Sequence, residues 1–192
     1  MSVDCSRPSD KYELMEKNLE RVINWVNNCD QKASILLTLL GVVVTIVCTS
    51  DVFDNFYNIV IAPFLTYVRT GIGYFSFYRT LIAILSFISI LSIALSLIYL
   101  LATLSPKIDY DKLRKTESEM LEKSNIFFGS IANTKYNDFN LSYESYFEDL
   151  RSQVYVNSLI CKNKFDNYAK ALKWIFILFS SVFLSFLLIS FF

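Results

Sequence analysis

The stretch Thr80–Leu104, TLIAILSFISILSIALSLIYLLATL, runs for twenty-five residues without a charged side chain. An α-helix rises about 1.5 Å per residue, and about 20 apolar residues are enough to cross a hydrocarbon core of about 30 Å. A backbone that crosses lipid finds no water to bond to, so a single spanning segment has to be helical. The stretch therefore predicts a transmembrane helix.

Two further blocks have the same character. Residues 33–50 contain no charge, and residues 172–192 contain one charged residue, Lys173, beside Trp174. The first block follows a polar segment and lacks the basic leader of a signal peptide, which favours an uncleaved span. The sequence thus predicts an all-α membrane protein with three transmembrane helices, at about 33–50, 80–104 and 172–192.

The distribution of basic residues predicts the orientation. Five Lys or Arg residues precede the first span, two lie in the connection 51–79, and eleven lie between residues 105 and 173. Basic residues concentrate on the cytoplasmic side of a membrane, so we expect a cytoplasmic N-terminus. Residues 1–32 and 105–171 are then a cytoplasmic helical part, and the chain 1–192 is expected to form a single membrane domain.

The connection 51–79 contains nine aromatic residues, and its apolar run Tyr57–Val68 is interrupted by Pro63. Twelve residues are too few to cross a bilayer as a helix. Aromatic rings with a polar tip favour the headgroup level, so we expect this run to lie at the membrane surface. A re-entrant hairpin is the alternative.

The composition excludes most catalytic schemes. The chain has no histidine, its formal net charge is zero, and it has only four glycines. Histidine is the commonest general base and metal ligand, so most hydrolase mechanisms are removed with it. The four cysteines show no metal-ligand spacing, and no basic field indicates a nucleic acid polymer. We expect neither an enzyme nor a metal site.

The polar segments that precede the first and third spans have helical periodicity. Apolar residues recur at steps of three and four in both, which predicts long helices that continue into the membrane. The two predicted seams are Met15, Leu19, Val22, Val26, Cys29 and Ala33, and Leu150, Val154, Asn157, Cys161, Phe165, Tyr168 and Leu172. A shorter amphipathic helix is predicted after Pro106, ending near residues 129–133, and residues 137–142 are predicted to be a loop. Together these helices predict a small cytoplasmic bundle.

Three clusters on this bundle contain candidate binding residues. Trp25, Asp30 and Lys32 lie just before the first span, where Trp and Lys also serve as ordinary interfacial anchors. Phe128 lies in the run Asn125–Ala132, which is either a helix packing face or a surface on which a base stacks.

The third cluster comprises Arg151, Gln153 and Lys164. Arg151 and Lys164 suit a phosphate, and Gln153 suits a base edge. The alternative for this cluster is a solvated polar face.

The order of these motifs resembles the Pycsar effector family, whose members are small membrane effectors encoded beside pyrimidine cyclases in antiphage operons. The matching elements are W-x-x-x-C-D-x-K-A over Trp25–Ala33, FFG-x-IA over Phe127–Ala132, and DL-x-x-QVY over Asp149–Tyr155, with Lys164 after them. The family pattern has alanine where this chain has Cys29.

The resemblance implies a function in antiviral defence. A partner cyclase from the same operon would make cyclic CMP or cyclic UMP, and the effector would sense it and impair the bacterial inner membrane, causing abortive infection. The resemblance implies no cofactor other than this ligand, and we expect a homo-oligomer. The alternatives are an effector gated by another cyclic oligonucleotide, an ungated holin-like toxin, and a non-toxic membrane scaffold.

Overall fold

The computed structural model describes residues 8–49, 57–71, 77–105, 124, 126, 131–133, 135 and 142–191. Helix α1 runs over Pro8–Thr49. A π-helical turn at Tyr57–Ile61 leads into helix α2, Ala62–Thr70. Helix α3 runs over Phe77–Leu104 and helix α4 over Tyr143–Phe191. Within these ranges every regular element is helical, which confirms the predicted fold class.

Three of the helices are long and apolar enough to cross a membrane: α1, α3 and α4. The 28 residues of α3 correspond to a length of about 42 Å, and α1 and α4 are longer still, with 42 and 49 residues. Helices α1 and α4 therefore contain both the predicted span and the predicted polar extension without a break. Helix α3 ends two residues before Pro106, because the ring of a proline disfavours helical geometry in the residue before it.

Helix α4 begins at a serine cap. The Ser145 amide donates to Ser142 Oγ at 3.3 Å, and the Tyr146 amide donates to the Ser142 carbonyl at 3.0 Å. Such a side chain satisfies a backbone donor that the first turn leaves unpaired. Ser142 is the last residue of the predicted loop 137–142, and the other residues of that loop lie outside the described residues. The predicted helix after Pro106 also falls almost entirely outside them.

The chain forms two compact units. The first contains residues 1–31 and 105–165, and the second contains residues 32–104 and 166–192. The apolar spans of α1, α3 and α4 belong to the second unit.

The core of the second unit is built from all three spans. Ala33 and Leu40 of α1, Leu100 of α3, and Ala171 and Leu178 of α4 are each at most 4 % exposed. Alanine at Ala33 and Ala171 lets backbones approach closely, which is how helices in lipid gain packing. The opposite faces present large apolar side chains, such as Phe87 and Phe176, as expected of surfaces that contact acyl chains.

Several hydroxyl groups in the spans are satisfied by helix carbonyls or by one another, whereas the buried Ser92 Oγ has no hydrogen-bond partner among the described residues. Thr38, Thr45 and Ser180 each donate to the carbonyl four residues earlier, at 2.9–3.0 Å. Ser89 and Ser181 form a hydrogen bond of 2.7 Å between α3 and α4. In this structure Ser92 and Ser96 are fully buried and Ser86 and Ser89 are half-buried.

The first unit pairs the beginning of α1 with the beginning of α4. The Tyr12 and Phe147 rings meet edge to face at 5.2 Å, and Tyr146 Oη donates to Glu16 Oε1 at 2.8 Å. Farther along, Asp30 pairs with Lys164. Between the Tyr12–Phe147 contact and the Asp30–Lys164 pair the residue numbers increase on both helices, so the helices run parallel.

The predicted seams agree with the structure on α1 and only in part on α4. On α1, Cys29 and Ala33 are fully buried and the other four positions are half-buried. On α4, Lys164 and Ala171 are buried, whereas Leu172 is 41 % exposed, so its predicted seam position is wrong. The prediction placed Leu172 on the seam because it continued the steps of three and four, whereas Phe165 is half-buried against Trp25. Packing instead selected a small residue and a charged residue with a partner.

Leu100 and Leu101 provide a matched test of this core. Leu100 is fully buried and Leu101 is 55 % exposed. We expect Leu100→Ala to lower the unfolding free energy by roughly 2 kcal/mol, because it opens a cavity. Leu101→Ala should change it by less than about 0.5 kcal/mol. Thermal unfolding of the detergent-solubilised protein measures both, and equal effects would contradict the described core.

Candidate functional site

The first unit contains a buried ion pair between its two helices. Lys164 of α4 is 3 % exposed, and its ammonium group donates to Asp30 Oδ1 of α1. The Asp30 side chain is 34 % exposed, so one side of the carboxylate faces outward. An ammonium group is rarely buried to this degree unless a charge compensates it. Burial of Lys164 therefore requires a compensating charge next to it, and Asp30 provides that charge.

An aromatic pair lies next to this ion pair in both helices. Trp25 and Phe165 meet edge to face, with ring centroids 6.1 Å apart. Trp25 is 56 % exposed, so much of its surface is accessible although it belongs to a packed pair. Trp25, Asp30, Lys164 and Phe165 are called the Asp30–Lys164 cluster below. It combines a single buried cation with an exposed, flat aromatic surface.

Two cysteines lie on the same turns of the helices as this cluster. Cys29 is fully buried, and Cys161 is half-buried, one turn before Phe165. Burial raises the pKa of the Cys161 thiol, and the charge of Lys164 offsets part of this effect. Since the thiolate is the reactive form of cysteine, a raised pKa lowers the fraction of reactive thiolate at Cys161.

A second polar cluster lies near the beginning of α4. Asp149 is fully buried, and its Oδ2 accepts a hydrogen bond of 3.0 Å from the Ile126 amide. Gln153 donates to Ser124 Oγ at 3.0 Å. Asp149, Gln153, Ser124 and Ile126 are called the Asp149–Gln153 cluster, in which Ser124 and Ile126 are held against the helix. Gln153, predicted to read a base edge, makes an intramolecular contact here.

The predicted binding residues do not form one group. Lys164 follows Arg151 by thirteen residues and Gln153 by eleven, so helix geometry separates them by about 20 Å and about 16 Å along α4. Arg151 is exposed and lies 3.6 Å from Glu148, as a surface pair that stabilises the helix little.

The contacts within the protein do not test ligand binding, so all of the predicted sensing residues stay predictions. Lys32 is exposed on α1 and belongs to the second unit, so the structure does not place it in either cluster. Phe128 lies outside the described residues.

Sequence reasoning did not select two residues that the structure places in these clusters. The sequence analysis assigns Phe165 only to the seam of α4, although it directly follows the candidate residue Lys164. The sequence analysis names Asp149 only as part of a motif. Its position beside the apolar seam residue Leu150 is the signal in the sequence for burial of its carboxylate. Which partner compensates each charge depends on the pairing of α1 with α4, which sequence spacing does not contain.

The fold and the two clusters define a class of protein: a small multi-pass helical membrane protein with charged side chains buried between its polar helices. A family model described as the Pycsar effector protein domain matches residues 14–191. The chain therefore belongs to the Pycsar effector family of antiphage membrane effectors.

A curated relative supports this membership. The chain is 28 % identical over 173 residues to the Pycsar effector protein GmPycTM from Gulbenkiania mobilis. The match covers 87 % of each chain. No solved structure matches the chain.

The ion pair provides a test of how α1 and α4 are held together. Asp30→Asn removes the carboxylate that compensates a buried ammonium, and we expect a loss of roughly 3 kcal/mol in unfolding free energy. The double variant Asp30→Asn/Lys164→Met should lose less than Asp30→Asn alone, because the buried charge is also gone. Thermal unfolding of the solubilised protein measures both variants.

Lys162→Met is the matched control, since Lys162 is exposed one half-turn away on the same helix. It should change the unfolding free energy by no more than about 0.5 kcal/mol. Additive losses for Asp30→Asn and Lys164→Met in the double variant would contradict a coupled pair.

Proposed function

We propose that this protein senses a cyclic pyrimidine mononucleotide, cyclic CMP or cyclic UMP, and impairs the inner membrane in response, causing abortive infection. Family membership supports a place in a cyclase-partnered antiphage system. The proposed partner is a pyrimidine cyclase encoded in the same operon. We also propose that the protein forms a homo-oligomer, uses no cofactor and catalyses no reaction. Its N-terminus is on the cytoplasmic side, where the nucleotide is made.

The observation that carries the proposal is the Asp30–Lys164 cluster. A cyclic mononucleotide carries one phosphate charge and one flat base. Lys164 offers an ammonium group that is already desolvated, and an anion gains more from such a group than from a hydrated lysine. Trp25 offers an exposed ring, and base stacking on an aromatic side chain contributes about 1–3 kcal/mol. In our proposal the phosphate replaces Asp30 on Lys164, and the base stacks on Trp25.

The course of α1 and α4 supports a route from binding to the membrane. Asp30 lies three residues before Ala33, where the first apolar block begins, and both residues belong to one continuous helix. Lys164 and the third apolar block likewise belong to one continuous helix, α4. A ligand that separates Asp30 from Lys164 changes the pairing of two helices that are themselves spans. It shifts the population only if it binds the separated arrangement more tightly.

Purified protein in liposomes that contain a self-quenching dye tests this function. We expect cyclic CMP or cyclic UMP to release the dye at micromolar concentration, because the ligand favours the separated arrangement. Cyclic dinucleotides, which carry two phosphates and two bases, should release none. Dye release measured against nucleotide concentration gives the apparent affinity.

Each alternative has its own outcome in the same assay. Release without any nucleotide indicates an ungated holin-like toxin, and release with a cyclic oligonucleotide alone indicates another ligand. Liposomes that stay intact under all nucleotides indicate a scaffold. Any of these three results would overturn the proposal.

The site of sensing is tested separately by calorimetric titration of the solubilised protein. Trp25→Leu should weaken binding of the active nucleotide at least about tenfold, because stacking is lost. Ile23→Ala is the matched control, since Ile23 is also exposed on α1 and lies outside the cluster.

Arg151→Ala and Gln153→Ala address the other predicted residues. If these variants weaken binding while Trp25→Leu and Lys164→Met bind normally, sensing belongs to the part of α4 around Arg151 and Gln153 instead. Lys32→Ala and Phe128→Ala complete the set, because both positions are also predicted to take part.

A further inference from the structure

The short helix α2, in the connection between the first two spans, is amphipathic. Ile61, Phe64, Leu65 and Val68 follow the spacing i, i+3, i+4, i+7 and therefore share one face. Thr66 and Thr70 lie on the opposite face. Both hydroxyls donate to helix carbonyls, at 2.8 Å and 2.6 Å.

The apolar face of α2 is exposed. Phe64, Leu65 and Val68 are 50 %, 51 % and 65 % exposed, and no residue of α2 is buried. Pro63 lies in the first turn of the helix, and Gly71 closes its C-terminal end with a left-handed φ of 64°. It is thus a defined helix with its large apolar side chains on the outside.

The position of α2 in the chain indicates what covers this face. Seven residues separate Thr49, the last residue of α1, from Tyr57 at the start of the π-helical turn, and the turn contacts α3. Seven residues reach about 25 Å at most, so α2 stays within that distance of the membrane surface. Its nine residues are about 14 Å long, which is too short to cross.

The residues that flank the apolar face suit the lipid headgroup region. Arg69 lies at one border of the face and Tyr67 at the other. Both have an apolar stem or ring and a polar tip, and such side chains extend from the acyl region toward water. The helix contains no acidic residue that would oppose contact with phosphate headgroups.

We infer that α2 is an interfacial helix whose face Ile61, Phe64, Leu65 and Val68 inserts among the acyl chains of the leaflet opposite the N-terminus. This inference does not depend on nucleotide sensing. It assigns the connection 51–79 a membrane-binding surface of its own, which fixes the ends of two spans at one leaflet.

Fluorescence of single tryptophans in liposomes tests the inference. The full-length chain with Trp25→Phe and Trp174→Phe serves as background, and Val68→Trp and Thr66→Trp are compared in it. Lipids brominated near the ester group should quench the fluorescence of Val68→Trp at least about twofold more strongly than that of Thr66→Trp, because only position 68 faces the acyl chains. Emission from Val68→Trp should also be shifted to shorter wavelength.

Other outcomes identify other occupants. Equal weak quenching at both positions would place α2 in water and overturn the inference. Stronger quenching of Val68→Trp by lipids brominated near the chain ends would indicate a re-entrant hairpin. A short emission wavelength without quenching would indicate that a second copy of the chain covers the face. Each of the last two results also contradicts an interfacial helix.

A second version of the experiment can be used if the variant without its native tryptophans folds poorly. Val68→Trp and Thr66→Trp are placed in the chain that retains both native tryptophans, and the added signal is obtained by difference. No nucleotide is present, so failure here is separate from failure of nucleotide sensing.

Discussion

The structure depends first on the lack of hydrogen-bonding partners in lipid. Every backbone amide and carbonyl in a span has to be satisfied within its own segment, so the apolar blocks have to be helices. The same constraint governs side chains: Thr38 and Thr45 donate to carbonyls of their own helix, and Ser89 bonds with Ser181 on another. Close packing around Ala33 and Ala171 then replaces the hydrophobic effect, which does not drive helices together within lipid.

The polar helices follow a different rule, because water is available outside the membrane. The charge of the buried Lys164 has to be compensated there, and the Asp30 carboxylate compensates it. Such a pair adds little net stability compared with two apolar residues, but it defines one pairing of α1 with α4. A phosphate can compete with Asp30 for Lys164, which links the architecture to the proposed sensing.

Continuity of the long helices connects the polar and apolar parts. Helices α1 and α4 contain no proline within the stretches that join these parts, and no break in their hydrogen bonding. With three spans, the first and third necessarily run in the same direction. The parallel pairing of Tyr12 with Phe147 and of Asp30 with Lys164 is consistent with this direction. The odd number of spans therefore already determines which helices can cooperate in a site.

The sequence by itself determined the helical class, the three spans and the continuation of α1 and α4, because charge-free length and helical periodicity are local properties. It also placed Trp25, Asp30 and Lys164 among the candidate residues. Only the tertiary structure decided that Asp30 faces Lys164, that Phe165 supports Trp25, and that Gln153 bonds to Ser124. It also decided that Ala171, not Leu172, faces the core. The physical reason is that a residue's partner depends on the rotation and register of a neighbouring helix. These are determined by packing across the bundle and leave no trace in the spacing of either helix alone.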